Sequence, residues 1–198
     1  MKFDVRMLIT ITGDPVLIRV RLLSNGELDQ NALRRLADRL AEAFPNSQII
    51  VDDQATQPPS SCLNRSRGQY NSSLILQLLR CSVEKGDDGR ILAVESVDLY
   101  AGSLNFVFGE ADPSAGTAVV SICRLKPEFY GEAPNSDLFF SRLVKESVHE
   151  LGHTFGLGHC RDPACVMHFS NSIFDTDLKG PDFCHRCKFK IKEGGRKV

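Results

Sequence analysis

Residues 149–159 read HELGHTFGLGH: His149, Glu150, Leu151, Gly152, His153, Thr154, Phe155, Gly156, Leu157, Gly158 and His159. They close a segment starting at Asp137 in which Phe140, Val144, Val148 and Leu151 recur at helical spacing. On that helix His149 and His153 share one face about 6 Å apart along the axis, which suits two ligands on one ion. Glu150 follows about 100° further round, where it can lean over a water on the ion without ligating the ion itself. His159 cannot join them on a continuous helix, because it would stand about 9 Å beyond His153 while zinc–nitrogen bonds measure about 2.0–2.1 Å. The helix must therefore stop and the chain turn back. Gly156 and Gly158 are the residues expected to permit this, since glycine enters the left-handed conformation at little cost. Three neutral imidazoles with one open position make a catalytic zinc geometry, with a zinc-activated water and Glu150 as general base. The bland alternative, three unrelated histidines around a helix end, is made rare by the added Gly156 and His159.

Directly after His159 the chain turns cysteine-rich. Four of its 7 cysteines, Cys160, Cys165, Cys184 and Cys187, crowd toward the C-terminus, while Cys62, Cys81 and Cys123 are scattered and read as small buried hydrophobes. The odd total argues against an exported disulfide scaffold. So does the opening MKFDVRMLITITGDP, with Asp4 and Arg6 inside its apolar stretch and no small-residue cleavage site. Metal thiolates in a reducing cytoplasm fit better. Cys160-x4-Cys165 and Cys184-x2-Cys187 are two pairs at zinc-ligand spacing, and four thiolates would close a shell with no open position. That makes a structural zinc, the second of two per chain; free thiols or one disulfide are the alternatives. The surrounding segment is poor in apolar positions, so metal binding coupled to folding would supply what it lacks. His168 and His185 read as surface or supporting residues, because four sulfurs suffice.

Upstream, 198 residues with 42% hydrophobic and 25% charged side chains are ordinary globular proportions for one domain with a small lobe. They exclude a disordered, collagen-like or coiled-coil chain. No apolar run approaches the roughly 20 residues of a membrane span, and a net charge of -1 implies no general polyanion binding. Two strand-like segments, Phe3–Ile11 and Val16–Leu23, open the chain. Asp29 caps a helix through Phe44 whose Leu33, Leu36, Leu40 and Phe44 form one stripe, and Pro45 stops it. Gln48–Val51 reads as a short buried-type strand and Thr56–Gln69 as the longest structureless stretch. A helix from Asn71 carries Leu74, Leu78 and Leu79. Ile91–Asp98, Leu104–Phe108 and Thr117–Cys123 are strand candidates. Strands alternating with helices predict an α/β fold with a twisted, mostly parallel sheet.

The stretch His149–His159 is the extended zinc motif of the metzincins, and Met167, eight residues on, stands where their Met-turn lies beneath the metal. Cys160, Cys165, Met167 and the pair Cys184/Cys187 resemble the archaemetzincin branch in particular, as do SRGQYNSSLIL, VDLYAGSLNFVFGEA and AVVSICRL upstream. The resemblance covers nearly the whole chain. It implies a zinc-dependent metallopeptidase with one catalytic domain over residues 1–198, a metzincin-like twisted mixed sheet with packed helices. Residues 1–157 would form an upper subdomain, and residues 158–198 a small zinc-stabilised C-terminal lobe with the Met-turn and the four-cysteine site. It also implies a peptide or protein substrate laid antiparallel to an edge strand above the active-site helix. Leu104–Phe108, followed by Gly109-Glu110-Ala111-Asp112, takes that position by resemblance, with an ordinary edge strand and acidic turn as an equal alternative. Phe169 stands where some metzincins carry a tyrosine near the metal, and it can neither ligate nor stabilise an oxyanion. Arg65, Arg67 and Tyr70 could face the cleft or belong to a solvated loop.

A different class competes. Lys188, Lys190, Lys192, Arg196 and Lys197, against Glu193, resemble the tail of a small nucleic-acid-binding zinc module. With Phe189 alone to stack on a base, a nucleic-acid partner is disfavoured. A zinc-stabilised protein that binds peptides without cutting them would have no need of Glu150. The reading that stands is a cytoplasmic zinc metallopeptidase with no membrane segment. Its substrate, cleavage position and oligomeric state are not written in these residues.

Overall fold

The computed structural model describes residues 18–24, 27–52, 57–82 and 89–194. The strand expected at Phe3–Ile11, the start of the one at Val16–Leu23, Thr56, and Arg196 and Lys197 of the basic tail lie outside the described residues. Strand β1 (Ile18–Ser24), helix α1 (Gln30–Ala43) and strand β2 (Ser47–Val51) form a βαβ unit in which the strands run parallel, from Ile18 opposite Ser47 to Leu22 opposite Val51. The Asp29 carboxylate accepts from the Ala32 N–H at 2.7 Å, satisfying a donor that the helix start leaves free. Leu33, Leu36 and Leu40 are buried as their spacing requires, and Phe44 ends the helix just before Pro45. Strand β2 is not fully buried. Among the described residues it is the outer strand of the sheet, and Gln48 and Ile50 face solvent while Ile49 packs on the core.

In the stretch read as structureless, residues 57–69 take defined turns and strands. A short 3-10 turn at Ser60–Cys62 leads into a hairpin of β3 (Leu63–Asn64) and β4 (Gln69–Asn71), reversed by a turn with Gly68 at φ 66°. Its Pro, Ser, Asn and Gly content reflects turns rather than disorder. Asn71 caps helix α2 (Ser72–Arg80) by accepting from the Leu74 N–H at 3.1 Å. Ile75 and Leu76 form its buried face, whereas Leu74 and Leu78 are exposed, so the apolar stripe is rotated from the one expected.

Strands β5 (Arg90–Glu95), β6 (Leu99–Tyr100), β7 (Gly109–Asp112) and β8 (Thr117–Ser121) complete the sheets. Among the described residues the main sheet has the order β2-β1-β5-β8-β7, parallel throughout except for the antiparallel pairing of β7 with β8, and β3-β4-β6 form a small second sheet. The edge strand is therefore Gly109–Asp112, not Leu104–Phe108. In the latter segment only Val107 bridges to Leu99, and the carbonyls of Leu104 and Asn105 are taken by side chains instead of a ladder. The segment read as an acidic turn is the strand.

Helix α3 (Ser136–Thr154), capped by Asn135, packs across the sheet and is buried along most of its length from Arg142 onward. Helices α4 (Ile173–Leu178) and α5 (His185–Gly194) follow. Cys165, Val166, Met167, Ile173, Phe183 and Cys187 join the hydrophobic cluster that contains Leu22, Leu36, Leu92 and Leu151. The C-terminal segment thus shares the main core. No helix among the described residues is long and apolar enough to cross a membrane.

Candidate active site

The end of α3 builds the site. The Gly156 N–H donates to His153 O at 2.9 Å and the Leu157 N–H to Gly152 O at 3.2 Å, with Gly156 at φ 83°. This pair of bonds is the Schellman closure, which needs a left-handed residue where Gly156 stands. Gly158 plays no such part: its φ is not left-handed and a Cβ there would meet nothing within 4 Å. One glycine, not two, makes the reversal that carries His159 back.

The donor atoms of His149, His153 and His159 lie within 4.8 Å of one another. His149 Nδ1 lies 2.8 Å from Val166 O and His153 Nδ1 lies 2.7 Å from Leu157 O. A carbonyl only accepts, so each ring carries its proton on Nδ1 and presents a bare Nε2. These two Nε2 atoms stand 3.2 Å apart, lone pair toward lone pair. Protonation does not relieve the arrangement, because burial lowers the affinity of both rings for a proton and the Lys179 charge lowers it further. A cation does. Two nitrogens on a tetrahedral zinc stand about 3.3 Å apart, so the donor set and its spacing fit that ion.

Glu150 is almost wholly buried beside them and lines the same cleft of about 530 Å³. Burial pushes its carboxyl well above the ordinary range, the neighbouring Glu146 adds to this, and Lys179 opposes it. The cleft is bounded above by Leu104–Ala111 and below by Phe169, Ser170 and Asn171. Gly109 of β7 lets strand and helix meet, for a Cβ there would fall 2.5 Å from Glu150 Cγ and 2.7 Å from Val119 O.

On the far side of the Met167 turn, Cys160, Cys165, Cys184 and Cys187 bring their sulfurs within 4.8 Å of one another, and all seven cysteines of the chain are free thiols. Cys160 Sγ and Cys184 Sγ are 3.8 Å apart, close to the separation of about 3.8 Å between two thiolates on one tetrahedral zinc. A backbone N–H bond from Cys187 brings the Cys184 thiol down to about 7. Of the scattered cysteines only Cys62 is buried; Cys123 is half-buried and Cys81 is exposed.

The sequence profile of peptidase family M54 matches residues 29–193. The archaemetzincin of Pyrococcus furiosus is 54% identical over 171 residues, 85% of this chain and 89% of that one. This chain belongs to peptidase family M54, the archaemetzincins. The crystal structure of the archaemetzincin of Methanopyrus kandleri superposes with a TM-score of 0.78 at 36% identity, over 93% of this chain and 98% of that one. A zinc-dependent peptidase from Methanocorpusculum labreanum superposes with a TM-score of 0.79 at 29% identity, over 87% of this chain and 99% of that one. The archaemetzincin described here is accordingly a zinc metallopeptidase, a hydrolase of peptides.

In this archaemetzincin several supporting groups escape a reading of sequence alone. Val166 O and Leu157 O, which orient two histidines, are backbone atoms and leave no residue signature. Gly152 faces Met167, and a Cβ there would fall 2.7 Å from Met167 Sδ, which is fully buried. Lys179 is also fully buried; its Nζ pairs with Glu146 at 2.9 Å and lies 3.5 Å from His149 Nδ1. The Thr176 hydroxyl donates to the same carboxylate at 2.8 Å. A lysine in a polar C-terminal stretch reads as solvated, and nothing local marks it otherwise. Phe169 packs against His159 with ring centroids 4.7 Å apart. Arg67 stands exposed in the turn of the hairpin beside the cleft and Tyr70 in its second strand, and His168 Nδ1 lies 3.0 Å from Cys160 O.

Proposed function

We propose that His149, His153 and His159 hold the catalytic zinc, that Cys160, Cys165, Cys184 and Cys187 hold a second, structural zinc, and that Glu150 is the general base of peptide-bond hydrolysis. The observation that carries this is the pair of bare, facing Nε2 atoms beside a buried carboxylate at the wall of an open cleft. When bound, the catalytic cation supplies Lewis acidity, lowering the pKa of water and polarising a carbonyl.

The chain's own residues do the rest. Val166 O and Leu157 O hold the two imidazoles in the tautomer that leaves Nε2 free. The Glu150 carboxylate takes the proton of the attacking water and returns it to the leaving amine nitrogen, so that one carboxyl serves as base and then as acid. Its buried setting, which raises its proton affinity, suits both roles. An extended peptide lies in the cleft against Leu104–Phe108 and reaches the edge of β7, the outer strand of the main sheet among the described residues. Met167, wholly buried against Gly152, is the floor of the metal site. The closed thiolate set ties the chain after His159 to the start of α5, making one catalytic domain of residues 1–198 with an upper part over 1–157 and a lower part over 158–198. Zinc thiolates at Cys160, Cys165, Cys184 and Cys187 suit a reducing cytoplasm.

Glu150→Gln tests the mechanism. It keeps the zinc and the fold and loses hydrolysis of a casein substrate; unchanged turnover in that variant contradicts the assignment of the base.

A further inference from the structure

The roof of the cleft runs into β7 at Gly109, but the part before it belongs to neither sheet. Between β6 and β7, Leu104, Asn105, Phe106, Val107 and Phe108 line the cleft with no strand ladder among the described residues: Leu104 N–H donates to Ala101 O, Val107 N–H to Leu99 O, and Phe108 O accepts from the Ser121 N–H. The carbonyls at its centre point toward the hairpin of β3 and β4. There Arg67 Nη2 donates to Leu104 O at 2.9 Å and to Asn105 O at 2.8 Å, and Gln69 Nε2 donates to Asn105 O at 2.9 Å.

The donors are themselves fixed. Arg67 Nε donates to Gln69 Oε1 at 2.8 Å, and its guanidinium lies 4.3 Å over the Tyr100 ring. Gln69 is buried and also donates to Asp98 Oδ2 at 3.0 Å. Asp98 in turn receives Arg124 through two bonds of 2.6 and 2.8 Å, and the Arg124 guanidinium covers the Phe106 ring at 4.3 Å. The connection thus runs from hairpin to roof and back. The hairpin tip is ordered by its own sequence, since Asn64 Oδ1 accepts from the N–H groups of Ser66 and Arg67 and Gly68 takes the left-handed turn.

We propose that this hairpin is a strut for the substrate-binding roof, with Arg67 and Gln69 as positioning residues that set how tightly an extended peptide is held without touching bond cleavage. The inference rests on the peptidase reading above. Two facts separate binding from chemistry. Strand β7, which meets Glu150 at Gly109, is pinned independently by its pairing with β8, and Arg67 and Gln69 bond to Leu104, Asn105, Asp98 and each other rather than to a histidine of the site. A roof freed from its strut must be ordered again whenever substrate binds, and that cost falls on affinity.

The test uses the zinc-loaded protein, with fluorescein-labelled β-casein as the probe. Arg67 is exposed and its removal opens no core cavity, so Arg67→Ala folds with unchanged zinc content. Loss of a charged donor shared by two carbonyls raises KM about tenfold and leaves kcat within about twofold of the parent. Arg67→Lys, which keeps a charged donor but not the stacked plane or the bond to Gln69, falls between them. Amide exchange across residues 101–108 quickens in the alanine variant. A kcat loss at constant KM, a loss of zinc, or unchanged exchange in the roof overturns the strut. Casein binding is also measured in Glu150→Gln protein with and without Arg67→Ala, where the affinity falls by the same factor. Absence of turnover in the parent therefore counts against the peptidase reading alone, while equal affinities in the two binding-only proteins refute the strut.

Discussion

Replacing Lys179 by methionine probes the part of the site that lies furthest from any motif. The Lys179 ammonium and the Glu146 carboxylate are 0% and 3% exposed and 2.9 Å apart. Methionine occupies much of the lysine stem but removes the charge, leaving the Thr176 hydroxyl to donate to a Glu146 carboxylate that has lost its cation. Breaking a buried pair from one side strands the other charge and costs about 3–5 kcal/mol. Glu146→Gln strands the lysine instead and costs a similar amount. The double variant Lys179→Met/Glu146→Gln strands neither charge. Its glutamine still accepts from Thr176, and the residual loss is about 1–2 kcal/mol for an amide left partly unsatisfied. The double variant is thus more stable than either single one. Urea unfolding followed by circular dichroism, at a fixed free zinc concentration so that metal linkage is constant, measures all four proteins. Additive losses, or a lysine variant that costs less than about 1 kcal/mol, would refute the claim that the two charges depend on each other.

Two further outcomes follow from the same geometry. Gly109→Ala places a Cβ 2.5 Å from Glu150 Cγ and 2.7 Å from Val119 O, so either the strand or the carboxylate must move. A displacement near 1 Å in a catalytic group lowers turnover about a hundredfold, while zinc measured by atomic emission stays at the parental value; full activity would show that Glu150 has room to spare. Cys187→Ser removes a buried sulfur from the four-cysteine cluster. It should lose one of two zinc equivalents and render residues 158–194 sensitive to limited proteolysis, whereas in the parent protein a chelator removes one zinc readily and the other only on unfolding. A parent protein that binds a single equivalent contradicts the two-site proposal.

The surroundings of the histidines show why such a site survives only as a unit. Helix α3 supplies two rings and the carboxylate, the Schellman turn returns the third ring, and the chain around Met167 offers the carbonyl that orients the first. Each contribution is modest alone. Together they leave two lone pairs facing each other in a buried place where charging the rings is unfavourable. On the proposed assignment, metal affinity would be tied to folding of the whole sheet-and-helix assembly.

Local chemistry is what the chain reveals unaided. Helical spacing puts His149 and His153 on one face, Gly156 implies a reversal, and each cysteine pair brings two sulfurs close, because each depends on separations of a few residues. The α/β alternation and the caps at Asp29 and Asn71 are legible for the same reason. Pairing across long separations is not. Whether Leu104–Phe108 or Gly109–Asp112 forms the edge strand depends on which carbonyls Arg67 and Gln69 capture from more than thirty residues away. Gln48–Val51 is half-exposed because nothing beyond it pairs with it among the described residues. The α2 stripe turns on which sheet face covers it, and the burial of Lys179 on a carboxylate 33 residues upstream along the chain. Short-range sterics and hydrogen bonding are encoded residue by residue; desolvation and close approach exist only once distant segments have packed.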